Sequence, residues 1–136
     1  MNPTIDQQIA TFLESPAFGV VGASPNRDKY GNKVLRCYLM RGRRAIPVHP
    51  AQKEIEGLAC AASVTELPAE VQSISMITPP QVTEKVVEAA IAKGIKNIWM
   101  QPGAESPAAV EACRNAGINV IADGSCLLVV LGYSEH

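Results

Sequence analysis

No stretch of this 136-residue chain approaches the roughly 20 consecutive apolar residues that a membrane span requires. The opening segment MNPTIDQQIATFLESPAF has neither the basic start nor the continuous apolar run of a secretion signal. A cytoplasmic protein with reduced thiols is therefore expected. An excess of either charge is also missing, since twelve Lys and Arg face thirteen Asp and Glu for a formal net charge of −1. The near-balance argues against nucleic acid as the main partner, because that binding shows as a basic excess. Cys37, Cys60, Cys113 and Cys126 are scattered, with no CxxC pair and no clustered histidines. Neither a zinc site nor a thioredoxin-like motif is indicated, and each cysteine is expected as a small buried apolar side chain. Internal repeats, linkers and low-complexity tracts are absent as well.

What is present is a regular alternation. Hydrophobic residues make up 47% of the chain and charged ones only 18%, enough to bury one core but short for two domains, so a single domain over 1–136 is expected. Thr4 to Gln7 has the form of a capping box, and Ile5, Ile9, Phe12 and Leu13 recur at helical spacing until Pro16. Phe18 to Gly22 reads as a strand. A helix from about Gly31 to Gly42 follows, with Val34, Leu35, Tyr38 and Leu39 on one face. Ala45 to Val48 is the second strand, although Pro47 removes a backbone donor. Ser63 to Glu66 has the form of a second capping box, ahead of a short helix stopped by Pro68. Ser73 to Thr78 gives a third strand and 82–94 a helix ending at Gly94. Asn97 to Gln101 is the fourth strand. Ser106 and Pro107 start a further helix, Gly117 ends it, and Ile118 to Ala122 completes five strands. Short Val- and Ile-rich strands alternating with helices predict an α/β fold, a Rossmann-like doubly wound parallel sheet of about five strands with helices on both faces. Ligands of such sheets sit at the carboxyl ends of the strands, which directs attention to the loops after the first, third and fourth.

The first of these loops is neither GxGxxG nor GxxxxGK[ST]. It runs from Val21 to Lys33, where Gly22 permits a tight turn, Ser24 supplies a hydroxyl and Gly31 lets a phosphate approach the free N–H groups of the next helix. An ordinary long turn is the plain alternative. Seven of the twelve basic residues fall between Arg27 and Arg44, opposed only by Asp28. Lys29 and Lys33 flank the helix start and are the better anion contacts. Arg41, Arg43 and Arg44 are expected to complement the helix dipole at its other end. A familiar NAD site would carry an acidic residue after the second strand, whereas this chain has His49 and Pro50, followed by Lys53. That neighbourhood favours a phosphorylated adenosine, and nothing near His49 supplies a catalytic partner. Thr78, Pro79 and Pro80 form an apolar wall, Gln101 can hydrogen-bond a ligand, and Gly103 lets backbone come close. Trp99, inside a strand, is expected in the core.

In order and spacing these stretches resemble the CoA-binding domain, which is found alone in small bacterial proteins and fused within succinyl-CoA synthetase α chains and ADP-forming acyl-CoA synthetases. The stretches are VGAS with Lys29 and Gly31, IPVHP with Gly57, the TPP at Thr78, WMQPGA, and the cysteine of DGSC. The resemblance covers nearly the whole chain. It implies binding of coenzyme A or an acyl-CoA, with the nucleotide and phosphates against Gly22, Ala23, Ser24, Lys29 and Gly31. His49, Pro50 and Lys53 then lie close by, and Thr78, Pro79 and Pro80 border the ligand. The ending after the fifth strand, Asp123 to Cys126 followed by LLVVLG, departs from the stand-alone members and leaves that loop unassigned. The synthetases use further domains for group transfer, so the resemblance implies binding without catalysis. A small NADP- or NAD-linked oxidoreductase is the second reading, and a regulatory interaction protein without a nucleotide the third.

Overall fold

The computed structural model describes residues 2–134. Helix α1 (Ile5–Leu13) begins at the expected capping box, with the Thr4 and Gln7 side chains each bonding the other's backbone N–H. Strand β1 (Ala17–Val21) follows and is buried along its whole length. Next come α2 (Tyr30–Met40), β2 (Ala45–Val48), a two-residue pair β3 (Glu54–Ile55) and β4 (Leu58–Ala59), and β5 (Val71–Met76). The chain closes with α3 (Pro80–Lys93), β6 (Asn97–Met100), α4 (Pro107–Asn115), β7 (Asn119–Ile121) and the short α5 (Leu127–Val130).

Five of these strands form one parallel sheet in the order β2-β1-β5-β6-β7. Helices cover both faces, as a parallel sheet buried on both sides requires. Under α1, α2 and α5 lies an aromatic layer in which Phe18 stacks on Tyr38 at 4.7 Å and Phe12 meets the edge of Trp99 at 5.3 Å. Trp99 is fully buried, and its indole N–H donates to the Ser125 carbonyl at 3.0 Å. Under α3 and α4 lies an aliphatic layer that includes Ile74, Met76, Val87, Ile98 and Met100. The doubly wound expectation holds, and Pro47 is accommodated because β2 is an edge strand of this sheet.

Three local readings change. The Ser63 capping box does not form: 64–66 make a single 3₁₀ turn and the Ser63 side chain caps nothing, since Pro68 leaves too little chain to nucleate an α-helix. The β3–β4 hairpin, unforeseen in the sequence, turns through Glu56 and Gly57, both at positive φ (51° and 77°). The three arginines after α2 take hydrogen-bond partners beyond the helix. Arg41 donates to the Gly132 carbonyl, Arg43 to the Leu13 carbonyl at 2.9 Å while lying over the Phe18 ring, and Arg44 to Glu70 at 2.7 Å.

Two glycines let three backbones meet at the head of the sheet. Gly22 has φ +94°, and a Cβ there would stand 1.9 Å from the Ile77 carbonyl oxygen. Gly31, in the first turn of α2, would place a Cβ 2.0 Å from the Gly22 carbonyl oxygen. Gly31 thus seats the helix on the strand end. Gly to Ala in a helix normally stabilises by about 1 kcal/mol. Gly31→Ala should do the opposite and lower the unfolding free energy by at least about 1–3 kcal/mol, as overpacking does. A urea titration that found the variant as stable as the parent would contradict this packing.

Candidate functional site

From β1 the chain winds outward to β2, then returns to the other side of β1 to build β5, β6 and β7. The winding direction reverses between β1 and β5, and a crevice opens beyond their carboxyl ends. The strand ends are tied together there: the Ile77 N–H donates to the Val21 carbonyl at 2.8 Å and the Gln101 N–H to the Met76 carbonyl at 3.0 Å. A groove of about 460 Å³ occupies the crevice, lined by Val21, Gly22, Ala23, Val48, His49, Pro50, Thr78, residues 62–64 and one stripe of α3. Its walls are mostly aliphatic. Thr78 exchanges a 2.6 Å hydroxyl bond with the buried Thr83. His49 Nδ1 accepts the N–H groups of both Ala51 and Gln52 at 3.0 Å, so the neutral ring carries its proton on Nε2 and serves as a donor.

Beside the groove, the β1–α2 loop is ordered by its own side chains. Ser24 Oγ accepts the Asn26 N–H at 3.1 Å, and Asn26 Oδ1 accepts the Asp28 N–H at 3.0 Å. The fully buried Asn32 donates to the Ser24 carbonyl at 2.9 Å and to Glu56 at 3.1 Å, while its oxygen accepts Arg36 Nε at 2.6 Å. Arg36 also donates to the Arg27 carbonyl, and Arg27 pairs with Glu56 at 3.4 Å. The hairpin tip thereby closes the loop. Helix α2 itself has no side-chain cap and no acidic residue in its first turn, and the exposed Lys29 stands at its N-cap. Unsatisfied N–H groups and the positive helix end together favour an anion there.

A third group lies beyond the groove at the end of β6. Gln101 Oε1 accepts the Leu127 N–H at 2.9 Å and the Tyr30 hydroxyl at 3.1 Å, and the same hydroxyl contacts Cys126 Sγ. Burial, reinforced by Cys126, raises the Tyr30 phenol well above its ordinary pKa and keeps it protonated. Asp123 is held below the usual carboxylate range by hydrogen bonding from Ser125.

The structure therefore sorts the expected site residues into groups. Gly22, Ala23, His49, Pro50 and Thr78 line the groove, and Ser24, Lys29 and Gly31 surround the start of α2. Lys53 is exposed and lies outside the groove lining, while Pro79 and Pro80 serve as N-cap and first residue of α3. Gln101 is 1% exposed with its oxygen already engaged. Gly103 is turned outward, its N–H held by Glu105 at 2.6 Å. The α3 stripe of Val82, Lys85, Val86 and Ala89 was not anticipated. Its spacing was legible, but beside a core stripe such spacing reads as packing.

A larger cavity of about 600 Å³ lies at the opposite edge of the sheet, near Glu14, Gly94, Lys96 and Gly117. Helices α1, α3 and α4 all end there. Their negative dipole ends make it a poor seat for an anion. Among the described residues no group of three or more His, Cys, Asp or Glu is placed to hold a metal ion, and no helix is long and apolar enough to cross a membrane.

Residues 17–131 match the family model described as CoA binding domain. The chain belongs to the CoA-binding domain family. A conserved hypothetical protein of Pyrococcus furiosus is 41% identical and superposes with a TM-score of 0.80, over 84% of this chain and 97% of that one. A hypothetical protein of Pyrococcus horikoshii superposes with a TM-score of 0.86 at 27% identity, over 94% of this chain and 89% of that one. The ADP-forming acetate–CoA ligase I of Archaeoglobus fulgidus is 26% identical over 95 residues, which is 70% of this chain but only 14% of the ligase. The CoA-binding domain is thus a small part of that relative's length.

In this CoA-binding domain the loop geometry hangs on Asn32. Asn32→Ala removes the donor to Ser24 and leaves buried groups unpaired, so unfolding free energy should fall by about 1–3 kcal/mol. Backbone amides of 24–32 should then exchange faster with deuterium. An unchanged urea midpoint and unchanged exchange would show that the loop is held by other contacts.

Proposed function

We propose that this chain binds coenzyme A, free or acylated, across the carboxyl edge of its sheet. The observation that carries the reading is a junction of two surfaces: a helix start with no side-chain cap and no acidic residue in its first turn, with Lys29 at its N-cap, directly beside an apolar groove at the winding switch. An anionic diphosphate fits the first and an adenine ring or pantetheine arm fits the second. Membership of the CoA-binding domain family supports the same assignment. The groove also holds a cation, Lys85, and the end of β2 offers His49 where a ribose-reading carboxylate would stand. Both features favour a ligand more phosphorylated than NAD. No group-transfer step is assigned, because His49 has both neighbouring N–H groups on Nδ1 and no carboxylate behind it.

Calorimetric titration with CoA, dephospho-CoA, NADP and NAD tests the reading. CoA should bind more tightly than NAD, and added salt should weaken it because phosphate contacts are screened. Lys29→Ala should lose a charge-assisted contact worth about 1.5–3 kcal/mol, hence roughly tenfold or more in affinity. Arg43→Ala should bind like the parent, since that guanidinium is committed to the Leu13 carbonyl. Glu56→Gln keeps an oxygen for Asn32 but removes the carboxylate from the loop, and should tighten binding by a factor of about two to five. NAD binding as tightly as CoA, or an unaffected Lys29→Ala variant, would overturn the assignment.

A further inference from the structure

The cluster of Tyr30, Gln101 and Cys126 plays no part in the binding scheme above. Its geometry is specific. The Leu127 N–H donates to Gln101 Oε1, which fixes the orientation of the amide, and the Tyr30 hydroxyl bridges that oxygen and Cys126 Sγ. Gln101 Nε2 is then left buried, with no hydrogen-bond partner. A buried amide donor without an acceptor calls for a partner, and a ligand carbonyl can supply one. The cluster is also close to the proposed ligand. Tyr30 follows Lys29 directly at the head of α2, and β6, which ends at Gln101's neighbour Met100, lies two strands from β1. Two strand spacings are about 10 Å. A pantetheine arm crossing the strand tips from the helix start would bring amide carbonyls, and then a thiol, to this point.

The other cysteines are placed differently. Cys37 and Cys113 are fully buried, which raises both thiols, Cys113 to about 11. Cys60 is half-buried and raised by burial and by Glu54.

We propose that Cys126 captures CoA covalently by thiol–disulfide exchange, an inference that rests on CoA being the ligand. The co-reactant is CoA disulfide. Cys126 gives its proton to water, and the resulting thiolate attacks one sulfur of the bound disulfide. The Cys126–sulfur bond forms as the old sulfur–sulfur bond breaks. One CoA leaves as a thiolate and takes a proton from water, so the disulfide supplies all the oxidising equivalents. Tyr30 is a positioning residue: its hydroxyl donates to the attacking thiolate and turns to Gln101 Oε1 once the sulfur is bonded. The unpaired Gln101 Nε2 gains an acceptor from an amide carbonyl of the arm.

The test is intact-mass analysis and peptide mapping of the full chain with CoA disulfide or glutathione disulfide at equal concentration, beside thermal shifts with reduced CoA. The expected result is one CoA adduct on Cys126, reversed by dithiothreitol, forming at least about tenfold faster than the glutathione adduct and absent from Cys126→Ser. Tyr30→Phe should slow the exchange at neutral pH about tenfold and move its pH profile upward, while reduced CoA still stabilises the variant. An adduct on Cys60 instead, equal rates for the two disulfides, or an unmoved profile in Tyr30→Phe would overturn the inference. If reduced CoA stabilises the chain but Cys126 stays unmodified, capture is wrong and the CoA reading stands. If reduced CoA gives no stabilisation, the CoA reading fails and capture fails with it.

Discussion

Where β1 ends, the first turn of α2 rests on the carbonyl of Gly22, and Gly22 in turn rests on the carbonyl of Ile77 beyond β5. Neither contact leaves room for a side chain. This three-layer backbone stack fixes how close the helix start comes to the strand tips, and the rest of the site inherits its position. The start of α2 lies beside the winding switch because the helix cannot ride higher. Thr78 and the α3 stripe stand opposite Gly22 and Ala23 because β5 cannot slide away. A binding edge assembled this way needs few dedicated side chains, which is why glycine, alanine and valine dominate it.

The two edges of the sheet are chemically unlike. At the carboxyl edge the starts of α2 and α3 meet an apolar groove with a cation in its wall. At the other edge three helices end, and the buried polar side chains satisfy one another: Asn97 donates to Ser73, Asn119 to Asn97, and Gln8 to Asn119, each at about 3 Å. That ladder ties α1 to the sheet. The small β3–β4 hairpin belongs to the binding edge, since its tip residue Glu56 holds both Asn32 and Arg27. Glu56 also lowers the positive field that its neighbours create, so the loop is ordered at some expense of anion affinity.

Most of the architecture was legible because it is written in short-range patterns. Fully buried parallel strands are Val- and Ile-rich runs, helices show their faces by spacing, and Thr4 with Gln7 announces a cap that the structure contains. The failures are residues whose partners lie far along the chain. The sequence gives no sign that the Gln101 oxygen belongs to Leu127 and Tyr30, which leaves only its amide nitrogen for a ligand. Arg41, Arg43 and Arg44 read as dipole partners of α2, but nothing in the sequence shows that Gly132, Leu13 and Glu70 hold their guanidinium groups. The β3–β4 strands are too short for any period, and a glutamate at positive φ hides their turn. In the site, Gly22, His49, Pro50 and Thr78 were legible because they directly follow strands. Lys85 and its stripe were not, because a groove wall on a helix looks in sequence like one more row of core.

The most direct test of this account is hydrogen–deuterium exchange of the full chain with and without saturating CoA. Protection is predicted at the carboxyl edge of the sheet, in residues 22–33 and around 49 and 78, with the amides of α1 and the ends of α3 and α4 unchanged. Protection confined to the opposite edge, around Glu14, Gly94 and Gly117, would place the ligand where the helices end and contradict the account.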